Sequence, residues 1–105
     1  MKYLASPYTH PDPEVMEQRY LHTSLAVAYL LREGTWVYSP IVHCHELAKR
    51  GNLPREASFW REYNFHMLAL SEEMLILRID GYLDSIGIEE ERTEARRLMI
   101  PWRYL

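Results

Sequence analysis

Short apolar runs that stop at proline or glycine, alternating with longer stretches of helical spacing, predict an α/β domain with a mostly parallel sheet. Three observations carry this reading. "KYLAS" (2–6) and "TWVYS" (35–39) both end in Ser-Pro, at Ser6-Pro7 and Ser39-Pro40. "MLILRI" (74–79) is an apolar run closed by Asp80-Gly81. The segments between these runs are long enough for helices, which connect parallel strands by right-handed crossovers.

Each element has a local cause. "KYLAS" is short and apolar, as a strand buried on both faces should be. The loop "PYTHPDPEV" follows, and Asp12-Pro13-Glu14 supplies a capping carboxylate, a proline at the first helical position and an acid in the first turn. That helix is expected to stop at Gly34 and to pack down along Tyr20, Leu21, Ala28 and Leu31. "TWVYS" is β-branched and aromatic, which suits a second strand. A short helix through "VHCHELAKRG", the turn "GNLPRE" and a helix over roughly 55–71 lead to the third strand. A helix over about 87–99 and a last strand in "PWRYL" complete the order βα, βαα, βα, β. The expected architecture is one three-layer domain over residues 1–105, flavodoxin-like or Rossmann-like, with about four strands. Ligands in such folds bind beyond the carboxyl ends of the strands. "SPYTH", "SPIVHCH" and "DGYLDS" therefore share one rim.

Composition narrows the function classes. A chain of 105 residues buries about two-thirds of its unfolded surface. With 48% hydrophobic and 26% charged residues it is an ordinary globular sequence. A net charge of -3 argues against a nucleic-acid polymer as partner. No apolar run approaches the roughly 20 residues of a membrane span. "MKYLASPY" lacks the features of a secretory signal, and Cys44 is the only cysteine, so a cytoplasmic location is expected.

The last helix carries Glu89, Glu90, Glu91 and Glu94. Acids in a first turn complement the helix dipole. Glu89 falls on the side of Thr93 and Arg96, Glu90 lies on the flank of Arg97, and Glu94 can pair with Arg97, so three of the four are accounted for as solvated charges. Glu91 is different, because it shares a stripe with Ile88, Ala95 and Leu98. A carboxylate on a packed stripe needs a partner or a pocket. Spacing alone leaves two readings open, a structural ion pair and a functional acid.

"YLASPY", "YSPI" with a following His-x-His, and "DSIGIEEERTEA" resemble the nucleoside 2-deoxyribosyltransferase superfamily over nearly the whole chain. The likeness is strongest to its small phage and bacterial members, with the deoxynucleoside 5′-monophosphate N-glycosidases as relatives. The most specific element is Ser-x-Gly-x-x-x-Glu, matched by Ser85, Gly87 and Glu91. The resemblance implies that Glu91 is the nucleophile at C1′ of a 2-deoxyribosyl group, forming a glycosyl-enzyme as the base departs. Water then completes a hydrolase and a second base completes a transferase. Gly87 would allow close approach of a sugar or phosphate. Ser85 would cap the helix or bind a phosphate oxygen.

The superfamily commonly carries an aspartate on the helix before the third strand, where alignment on Trp60 places Asn64. An amide cannot donate a proton as an acid. Asp80 and Asp84 are the expected substitutes, ahead of Glu62 and His66. Ser6, Pro7, Tyr8, His10, Ser39 and His43 complete the expected substrate contacts on the rim. Tyr8 and His10 fit either a ligand contact or packing within their own loop. Arg19 fits a phosphate ligand or a surface charge. His43 and His45, at i and i+2, do not converge on one helical face, so no metal is expected, and the chemistry needs no cofactor. The 8 tyrosines and 3 tryptophans suit a subunit interface or a core. The expected partner is a nucleotide or nucleoside. Relatives build sites at subunit contacts, so a homodimer or larger assembly is expected. The alternative is a non-catalytic nucleotide-binding protein that sequesters or senses its ligand.

Overall fold

Strand β1 (Lys2–Ala5) sits inside the sheet, flanked by β2 (Val37–Tyr38) and β3 (Glu73–Ile76), with β4 (Trp102–Tyr104) beyond β3. The computed structural model describes residues 1–105. All pairings are parallel: Tyr3 lies opposite Tyr38 and Met74, and Leu75 opposite Arg103. Because both edges of β1 and β3 are paired and both faces covered, their residues after Lys2 and Glu73 are apolar and buried without alternation. The helices are α1 (Pro13–Arg32), α2 (Pro40–Gly51), α3 (Ala57–Ala69) and α4 (Ile86–Arg97). The fold is a three-layer α/β domain. No helix is long and apolar enough to cross a membrane.

Two core clusters line the two faces of the sheet. Tyr3, Ala5, Met74 and Ile76 pack against Leu68 of α3 and Ile88 and Ala95 of α4. On the other face, Leu4 and Leu75 pack against Leu30, Ala26 and Val27 of α1. The order β2-β1-β3-β4 means that the chain first moves outward from β1, then crosses back to β3. The crevice at the carboxyl ends of β1 and β3 is the topological switch point.

Strand ends differ from the sequence reading for a common reason. The third strand was expected over 74–79 but ends at Ile76, because its partner β1 gives way to Ser6-Pro7. One further amide, Leu77 N, reaches Ala5 O at 2.9 Å, and residues from there to Ser85 form the rim. The second strand keeps only Val37 and Tyr38, while Trp36 is 78% exposed and the Ser39 hydroxyl is turned to cap α2.

Helix α1 packs on a different face from the one expected. Thr23 and Leu30 are buried, whereas Leu21, Ala28 and Leu31 are exposed. The helix is apolar on more than one side, so periodicity could not choose between them. Thr23 tolerates burial because its hydroxyl donates to the Arg19 carbonyl at 2.7 Å. Tyr20 is partly buried, but against α2.

Leu75→Ala, at the centre of β3, should lower unfolding free energy by about 2–5 kcal/mol, because a cavity opens between Leu4 and Leu30. Leu83→Ala, at a 76% exposed position, should change it by no more than about 0.5 kcal/mol. Urea titrations of the two variants make the comparison.

Candidate functional site

A cavity of about 730 Å³ opens at the switch point, bounded by the loops after β1 and β3, the amino end of α4, and parts of α2 and α3. Its size is that of a pocket for a small organic ligand. The amino end of α4 forms one wall. Ser85 Oγ accepts from Ile88 N at 3.1 Å, which uses the serine as a helix cap and leaves its proton free. The Ile86 and Gly87 amides, first in the helix, have no intrahelical acceptor by position. Gly87 has ordinary backbone angles, and a Cβ there would meet only Ser85 Oγ at 3.8 Å. Neither strain nor the protein's own packing requires glycine at that position.

Glu91, one turn further, lines the cavity and is partly buried. The hydroxyl of Tyr3, a fully buried residue of β1, donates to Glu91 Oε2. Burial pushes the Glu91 carboxyl up to about 7; the Tyr3 hydrogen bond opposes the shift and the Glu90 charge adds to it. Burial first, and the Glu91 charge next, raise the Tyr3 phenol well above its usual range, so Tyr3 remains the donor. The other three glutamates have cationic partners. Glu89 meets Arg92, Glu94 meets Arg97, and Glu90 is held by Arg61 of α3 at 3.0 Å rather than by Arg97.

Asn64 lies on α3 and lines the cavity, where its Oδ1 accepts from Tyr38 at 3.1 Å. That bond turns the amide nitrogen into the free end of the group. Asp80 and Asp84 line the cavity from the exposed loop after β3. Glu62 and His66 are exposed and form no part of the wall. Ser6, Tyr8 and His10 are wall residues, and Ser6 Oγ is buried without a hydrogen-bond partner.

Three expected contacts fall elsewhere. Pro7 is fully buried, where it ends β1. Ser39 is 5% exposed and spends its oxygen on Val42 N at 3.2 Å, capping α2. His43 is exposed, is not a wall residue and stacks on Tyr63, with ring centroids 5.4 Å apart. Its neighbour His45 is the wall residue, because α2 begins at Pro40 and turns Cys44 and His45 inward.

Two cations complete the wall: Arg19, which the sequence left between a phosphate contact and a surface charge, and Arg55, which it did not single out. Arg19 reaches the carbonyls of Thr9 at 3.1 Å and Tyr8 at 3.4 Å, so no carboxylate neutralises it. A Cβ on Gly81, at φ +96, would lie 2.3 Å from Arg19 Nη2, so glycine makes room for this guanidinium. Arg55 adds a second cation to the wall. Arg55 has no helical period that would have singled it out.

Glu17, His45 and Glu46 bring ligand-type atoms within 4.8 Å of one another. The Lys49 ammonium stands 3.8 Å from Glu17 and 3.7 Å from Glu46, and Arg50 lies 3.6 Å from Glu46. These cations supply the charge a metal would bring.

The raised Glu91 carboxyl has a stability consequence. A proton binds more tightly in the folded state, so this group's contribution is greatest below pH 4.5, declines towards pH 7 and is flat above. Glu91→Gln removes that loss. The variant should be more stable than the wild type at pH 8, by up to about 3 kcal/mol, and should show no such gain at pH 4. Denaturant titrations at the two pH values measure it.

No curated protein matches the chain significantly. A family model matches residues 1–101, nearly the whole domain and every wall of the cavity. The chain belongs to that family, described as a domain of unknown function (DUF1937).

Proposed function

We propose that the protein cleaves or transfers the N-glycosidic bond of a deoxynucleoside 5′-phosphate, with Glu91 as the nucleophile. One observation carries the reading: a carboxyl interrupting a packed helical stripe opens into a ligand-sized cavity, held by a buried tyrosine. Glu91 would attack C1′ through an oxocarbenium-like transition state, with Tyr3 orienting the carboxylate. The free amides at the start of α4, the Ser85 hydroxyl and the unneutralised Arg19 suit a phosphate, so a nucleotide should bind better than its nucleoside. Gly87 leaves room for that approach. The superfamily resemblance picks the same Ser85, Gly87 and Glu91. The single, buried Cys44 suits the reducing cytoplasm.

A second reading, a protein that binds a nucleotide without cleaving it, is favoured by Asn64. An amide already engaged by Tyr38 stands where an acid would assist the leaving base.

Base release from deoxynucleoside monophosphates, followed by chromatography, separates the two. Under the enzymatic reading, kcat/KM rises with pH through an apparent value of about 7, because only the ionised carboxylate attacks. Glu91→Gln abolishes release while affinity stays within about tenfold. A wild type that binds a nucleotide tightly and releases no base selects the binder. Cleavage that survives Glu91→Gln refutes the nucleophile.

Assembly as a homodimer or larger is part of the proposal. Leu21, Leu25 and Tyr29 recur every fourth residue on α1 and are 44%, 70% and 55% exposed, an apolar helical face without an intramolecular partner. Light scattering at micromolar concentration should give a mass above 12.6 kDa, and Leu25→Glu should return the monomer.

A further inference from the structure

His45 is 2% exposed, the most enclosed polar side chain on the cavity wall. Its Nδ1 lies 2.5 Å from the Tyr8 hydroxyl, and its Nε2 lies 2.5 Å from Glu17 Oε2. Tyr20 stacks on the imidazole face at 4.2 Å between centroids, and the Tyr8 ring meets it at 90°. A buried neutral imidazole has one donor and one acceptor to satisfy, and the identity of the two partners is what matters here. This one is fixed at both nitrogens, between a carboxylate open to solvent and a phenol open to the cavity.

The proton positions follow from the partners. The bond to His45 holds the Glu17 carboxyl below its usual range, so Glu17 is ionised and accepts only. Nε2 therefore carries a hydrogen, and in neutral imidazole Nδ1 is bare. Tyr8 must then donate to Nδ1, which leaves its oxygen lone pairs for the cavity. The other ionisable groups around the three are Arg19 and Tyr20 of α1, Cys44, Glu46 and Lys49 of α2, and Arg55 of the next loop. Asp80 and Asp84 also face the cavity, but both are exposed and neither side chain is fixed by a hydrogen bond.

We propose that Tyr8, His45 and Glu17 form a proton relay in which the Tyr8 oxygen is the general base for the water that completes hydrolysis. The inference rests on Glu91 as nucleophile. The water oxygen bonds to C1′ of the glycosyl group as the bond from C1′ to the Glu91 oxygen breaks, and that electron pair returns to the carboxylate. The water's proton passes to the Tyr8 oxygen while the Tyr8 proton passes to His45 Nδ1. Glu17 stabilises the imidazolium until Nδ1 returns its proton to the Tyr8 oxygen and the Tyr8 proton passes to water in the open cavity, which restores the resting form. The arrangement resembles a nucleophile–histidine–carboxylate triad in its order, but here the hydroxyl shuttles a proton and forms no bond to carbon.

Rapid-quench assays with deoxynucleoside monophosphates, joined to intact mass spectrometry, test the relay. Tyr8→Phe should keep a burst of base near one equivalent while the steady-state rate falls about a hundredfold, with a glycosyl adduct accumulating on the protein. Glu17→Gln, at a partly exposed position, should lower the steady-state rate about tenfold and keep the burst. Nitrogen NMR of His45 should show the Nε2-protonated form at rest. A Tyr8→Phe protein with wild-type turnover, one without a burst, or an Nδ1-protonated resting ring overturns the relay alone, provided the wild type cleaves and Glu91→Gln does not. A wild type that releases no base overturns both the relay and the glycosidase reading.

Discussion

The hydrogen bond from Tyr3 to Glu91 joins the most buried strand to the helix that opens the cavity, and the rest of the site is arranged around it. A carboxyl among Ile88 and Ala95 would be costly without a partner, since an unpaired buried acid favours its neutral form. The Tyr3 phenol offsets part of that cost without adding charge. The result is an acid held close to the midpoint between its two protonation states at neutral pH. Such a group is unfavourable for folding and well placed for chemistry.

Charge around the cavity is divided among its elements. Glu90, the nearest other acid, is neutralised by Arg61, which limits the repulsion felt by Glu91. The free cations, Arg19 and Arg55, belong to other elements, so an anionic group and a neutral reacting centre could occupy different parts of one ligand. The two hydroxyl caps, Ser39 and Ser85, illustrate the same economy of position. Both stand immediately before a helix at the sheet rim, yet only Ser85 remains a wall, because α2 buries its own cap.

Glu91 was legible in the sequence because a charge interrupted an apolar stripe, a pattern that depends only on helical spacing. The order of strands and helices was legible for the same kind of reason, with prolines and glycines marking the stops. Strand ends were not, since β3 stops where β1 stops and that is a property of the pair. The packed face of α1 was hidden by having two apolar sides, of which tertiary contacts choose one. His45 and Glu17 meet across 28 positions through the packing of α1 on α2, and no local period records that encounter. Tyr3 reads as ordinary core in a strand; only its hydroxyl, seen in three dimensions, distinguishes it.

Arg19 has a mechanical consequence beyond its charge. It grips the carbonyls of Tyr8 and Thr9 from one side and lies in the space that Gly81 leaves open on the other. A single side chain thus spans the gap between the loops leaving the two central strands, a strap bonded to one and packed beside the other. A homologue that accommodates a bulkier ligand would have to alter both loops in concert, or replace the strap.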